Sequence, residues 1–122
     1  MFREVKIGDK TVGMLANGAT PIRYRMIFGK DLIGEFQGAD EKDTGRVSDS
    51  LAELAYIMAM ASDAKDGKVS MDKLNQDSFV KWLEQFEPLD IAMAAEYIID
   101  VYMGNQEIHS ESKKKVGAVR EK

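Results

Sequence analysis

A chain of 122 residues with 44% hydrophobic and 31% charged residues has the composition of an ordinary folded domain, which excludes intrinsic disorder over most of its length and allows one self-sufficient core. Cysteine is absent, which excludes a disulfide framework and thiolate metal sites and agrees with a reducing cytoplasm. The net charge of −4 divides into +3 over residues 111–122 and −7 over residues 1–110; an acidic body speaks against nucleic acid as a partner, because that binding runs largely on cations displacing counterions from phosphate.

The opening residues Met1-Phe2-Arg3-Glu4-Val5-Lys6 lack the apolar core of a signal peptide, and no run approaches the roughly 18 apolar residues of a membrane span. A soluble, unexported protein without a membrane partner is expected. Arg3-Glu4-Val5-Lys6-Ile7 and Thr11-Val12-Gly13-Met14-Leu15 alternate in polarity across a link, Gly8-Asp9-Lys10, that carries the glycine a tight hairpin wants. Two strands alone are marginal in water, so this hairpin must lean on helices or on another chain.

Thr20-Pro21 opens a helix. Threonine can cap, proline fits the first helical turn, and Gly29 offers a bend before a second amphipathic stretch, Lys30 to Gln37, with Leu32, Ile33 and Phe36 at helical spacing. Gly38 to Gly45 reads as a charged loop. From about Val47 to Ser62, Val47, Leu51, Leu54, Ala55, Met58 and Ala61 mark one buried helical face. A glycine turn at Gly67 follows, with Ser70 or Asp72 starting the next element.

Ser78 is placed to cap a helix in which Phe79, Trp82, Leu83 and Phe86 share a face, and Pro88 to begin a last helix reaching about Met103, with Gly104 ending it. From Asn105 onward polarity and a lysine run leave no periodicity, so a flexible tail is expected. The fold class is mainly α. It consists of a compact bundle of about four or five helices with a short N-terminal β-hairpin (about residues 3–15), a single helical domain over residues 1–104, and a flexible polar, basic tail over residues 105–122. No internal repeat is present.

Candidate chemistry is sparse. Asp66-Gly67-Lys68-Val69-Ser70 resembles the middle of a calcium loop, but with Gly67 sixth the first position is Ser62, the third Ala64 and the twelfth Lys73, so the leading carboxylate and the closing glutamate are both missing. The single histidine, His109, lies in the polar tail without a fixed partner. No phosphate-loop pattern follows a strand. Arg23 and Arg25 stand two residues apart and diverge around a helix, which weakens a nucleic-acid reading of the segment around Tyr24 and Phe28. No catalytic, metal or cofactor-binding residue is assigned, and no cofactor is expected.

The last helix is less ordinary. Between Ile91 and Met103 only Glu96 and Asp100 are charged, so nearly its whole circumference is apolar. Ile91, Ala95, Ile98 and Tyr102 form one face; Leu89, Met93 and Tyr97 form a second stripe beside the carboxylates. Such a helix is either central to a core or half in the core and half against another chain. Leu89, Met93 and Tyr97 are therefore the candidate partner-binding residues, and eight methionines, flexible and polarisable, suit an adaptable surface.

Lys6-Ile7-Gly8-Asp9-Lys10, then Ala19-Thr20-Pro21-Ile22-Arg23-Tyr24-Arg25 with Phe28-Gly29-Lys30-Asp31-Leu32, resemble tail assembly chaperones of long-tailed (siphovirus-type) phages and prophages of Gram-positive bacteria. Leu54-Ala55-Tyr56-Ile57-Met58-Ala59 resembles that family's central helix, Phe79-Val80-Lys81-Trp82-Leu83 its tryptophan segment, and Ser112-Lys113-Lys114-Lys115 its ending. The resemblance implies a non-enzymatic protein of the host bacterial cytoplasm, absent from the mature virion, that holds the tape measure protein and recruits tail tube protein during tail morphogenesis. It also implies a longer form made by ribosomal slippage, for which codons of Lys113-Lys114-Lys115 would supply the adenine run. A homo-oligomer is compatible with it. Two other readings are a structural head–tail connector retained in the particle and a degenerate EF-hand-like binding module.

Overall fold

The computed structural model describes residues 1–37 and 44–104. The expected tail over 105–122, His109 and most of the expected loop over Gly38 to Gly45 lie outside the described residues. Two strands, β1 (Phe2–Ile7) and β2 (Lys10–Leu15), precede α1 (Thr20–Phe28), α2 (Leu32–Gln37) and α3 (Thr44–Lys65). A 3-10 turn (Met71–Lys73), α4 (Gln76–Leu83), α5 (Asp90–Met93) and α6 (95–104) complete the order. The fold is mainly helical with an N-terminal antiparallel hairpin.

The hairpin register runs from Phe2 opposite Leu15 to Ile7 opposite Lys10. Its turn is thus two residues, Gly8-Asp9, and Lys10 belongs to β2. Gly8 takes φ +64° while Asp9 stays at negative φ, the pattern of a two-residue turn with glycine first. Past the last strand pair, Met1 and Ala16 exchange backbone hydrogen bonds of 2.6 and 2.8 Å. Val5, Ile7 and Met14 are buried on one face of the sheet, and α3 packs along β2.

The start of α1 differs from the expected threonine cap. Thr20 is the first helical residue, 2% exposed, and its hydroxyl turns back to accept the Asn17 N–H at 2.9 Å, while the Asn17 side chain accepts from Ala19 N at 2.9 Å. Asparagine therefore organises the turn, and Pro21, lacking an N–H, removes one donor that would need a cap. At the other end Gly29, at φ +70°, donates its N–H to the Arg25 carbonyl and stops the helix.

α3 begins at Thr44, earlier than the apolar periodicity indicated, and ends in a Schellman turn. Lys68 N–H bonds to the Asp63 carbonyl at 2.8 Å, Gly67 N–H to Ala64 at 3.0 Å, and Gly67 sits at φ +77°. This is the glycine turn, with Ser70 preceding the 3-10 turn.

Ser78 does not cap α4. Asn75 does: its side chain accepts the Ser78 N–H at 2.8 Å, and the Ser78 hydroxyl accepts the Asn75 N–H at 3.1 Å, a reciprocal box that sets the helix start three residues earlier. The Ser78 hydroxyl is also hydrogen-bonded to the Tyr56 hydroxyl. The last helix forms in two pieces, because the Ala94 N–H is shared between the Asp90 and Ile91 carbonyls and the backbone tightens there. Pro88 stands in its opening turn, where the Asp90 carboxylate accepts the Glu87 N–H at 2.9 Å.

The core centres on α3, whose Leu51, Leu54, Ala55, Tyr56, Ile57 and Met58 are all buried. Along one side runs a chain of aromatic rings, Tyr24–Phe28–Phe79–Tyr56–Trp82–Phe86, with centroid spacings of 5.0 to 5.4 Å except for 5.7 Å between Tyr56 and Trp82. These rings join α1, α3 and α4. Trp82 thus serves the packing of α4.

Candidate functional site

The second half of the domain returns the chain to its beginning. Gly8 lies so close to Asp90 that a side chain there would run into the carboxylate, and Met1 packs against Gly104 at the opposite end. β1 and the α5–α6 helix are therefore antiparallel neighbours. Ala94, Ile98 and Val101, at helical spacing, bury themselves in the core. That fixes what the rest of the helix can face.

Met93 and Tyr97, one turn apart, point away from the core and are 80% and 61% exposed. Between them and β1 lies an open groove of about 580 Å³, with Arg3, Val5 and Lys6 on one side and Met93, Tyr97 and Asp100 on the other. Burying one such side chain in a partner contributes roughly 1.5–3 kcal/mol. Met93 and Tyr97 thus stand beside a groove whose walls carry mixed charge, Arg3 and Lys6 across from Asp100.

Leu89 is also exposed but lines a different hollow, with Leu51, Leu83, Phe86 and Ile91. The stripe of Leu89, Met93 and Tyr97 is thus divided: two members share the groove, and the third lies beside it. β1 as a wall was not legible from the helix pattern. The signal available was the hairpin itself, since a two-stranded sheet leaves an outer edge on each strand.

A second polar constellation ties α1, α2 and α3 together. The Tyr24 hydroxyl donates to Glu53 Oε1 at 2.6 Å, Lys30 Nζ lies 2.9 Å from the same oxygen and 3.9 Å from Glu35 Oε1, and the Ser50 hydroxyl donates to Glu35 Oε1 at 2.9 Å. Burial, and then the hydrogen bond to Glu53, push the Tyr24 phenol well above its ordinary value near 10.0. The phenol therefore stays a donor at neutral pH. Because its folded value is raised, its contribution is complete below the unfolded value and declines as pH rises above it. Unfolding titrations should show stability falling above about pH 10, and Tyr24→Phe should flatten that decline.

No three His, Asp or Glu side chains come together to hold a metal ion among the described residues. No helix among them is long and apolar enough to cross a membrane. Comparisons with protein-family models, curated proteins and solved structures found no match.

Proposed function

We propose that the chain is a non-enzymatic tail assembly chaperone of long-tailed phages and prophages, which holds the tape measure protein and recruits tail tube subunits during tail morphogenesis, then leaves before the virion matures. The reading rests on the family resemblance of its segments, and the observation that supports it in three dimensions is the exposed Met93–Tyr97 stripe beside the groove. A long helical partner with bare apolar ridges aggregates unless covered. A small rigid domain covers such a ridge by helix-in-groove contacts, with apolar anchors one turn apart setting the register.

The gene's surroundings and the particle test this reading. An overlapping frame followed by a very long helical open reading frame is expected. Mass spectrometry of purified virions should find no trace of the chain; its presence at stoichiometric levels would instead favour a head–tail connector.

A further inference from the structure

The hollow where α3 hands over to α4 has no part in the assembly reading. α3 ends in the Schellman turn at Gly67, residues 68–75 make the crossing, and α4 starts on the reciprocal Asn75–Ser78 cap, so hydrogen bonds pin both ends of the crossing. The Tyr56 hydroxyl, bonded to that of Ser78, ties the start of α4 to α3. The result is an open hollow of about 540 Å³, within the roughly 300–1,000 Å³ of ordinary ligand sites. It shares no lining residue with the β1 groove.

Its charges have one sign. Lys68 and Lys73 are exposed at the hollow, neither has an ion pair among the described residues, and no described carboxylate lines it. Asp72, beside Lys73 in the chain, is held by the Ser70 hydroxyl. Residues 1–110 carry −7 in total, so a hollow lined by cations alone stands apart from the rest of the body. With the lysines stand Met60, Leu74 and the half-buried Trp82, whose indole N–H has no partner among the described residues.

A small inorganic anion would meet the lysines and leave the apolar wall bare. A peptide whose carboxylates flank an apolar side chain satisfies both. We propose that this hollow binds an acidic peptide segment of a partner protein, its apolar side chain seated against Met60, Leu74 and Trp82 and its carboxylates at Lys68 and Lys73. The site goes beyond the assembly reading and is independent of the Met93–Tyr97 stripe.

Trp82 is the sole tryptophan of the chain, so its emission reports on the hollow directly. Titrating the full chain with a blocked hexapeptide of alternating glutamate and leucine should shift that emission saturably to the blue, and the affinity should fall as salt rises. Joint Lys68→Glu and Lys73→Glu should weaken binding about tenfold or more, because both contacts become repulsive. Joint Lys68→Arg and Lys73→Arg should keep it, and circular dichroism checks that each variant folds. The Met93→Glu, Tyr97→Glu variant should bind the peptide as wild type does, which separates this site from the stripe. No response to the peptide, an equal response to its lysine-for-glutamate counterpart or to inorganic phosphate, or indifference to the charge reversal would each overturn the proposal.

Discussion

Tyr56→Ala is expected to cost about 3–5 kcal/mol, a large share of the roughly 5–15 kcal/mol that holds a domain together. Tyr56 is fully buried and occupies the middle of the aromatic chain, touching the rings of Phe28, Phe79 and Trp82. Truncation removes the ring that joins α1 and α4 to α3 and opens a cavity that neighbouring backbones fill only in part. Tyr56→Phe keeps the ring and loses only the hydroxyl contact with Ser78, about 1 kcal/mol. Val80, exposed on the same helix α4, tolerates alanine within about 0.5 kcal/mol. Urea titrations of the three variants check this order, and equal midpoints for Tyr56→Ala and Val80→Ala would contradict the packing described.

Joint replacement of Met93 and Tyr97 by glutamate is expected to do the reverse: folding is kept and binding is lost. Both side chains leave the core, so stability should change by about 0.5 kcal/mol or less. At an interface, two anchors that each contribute roughly 1.5–3 kcal/mol are removed and two charges must be desolvated. Affinity for an apolar helical partner should therefore fall by about a hundredfold or more. Leu89→Glu, on the adjoining hollow, should have a smaller effect.

Much of this fold was legible because its elements carry strong periodicity. The hairpin alternates, α3 places its buried residues between Ser50 and Ser62, through about three and a half turns, and the last helix announces itself by being apolar nearly all round. Caps were harder. Asn75 and Ser78 both suit a helix start, as do Asn17 and Thr20, and the choice follows from burial: Thr20 is pulled into the core, and Ser78 meets Tyr56. Local sequence does not record those contacts.

The same limit applied to the groove. Met93 and Tyr97 could be assigned to a second stripe from spacing, but β1 and the last helix are separated by most of the chain, and no pattern in either names the other. Placing Leu89 in the same stripe assumes a regular helix through it. It precedes Asp90, the first residue of α5, so helical spacing does not set its direction.

The Met93–Tyr97 stripe is proposed to cover a long helical assembly partner. Co-expression with the product of the long helical reading frame expected beside the gene, followed by affinity purification, puts this to the test. The tagged wild type should retain that product in soluble form, while the Met93→Glu, Tyr97→Glu variant, folded by circular dichroism, should lose it. Equal recovery by both proteins, or none by the wild type, would show that the stripe does not hold this partner.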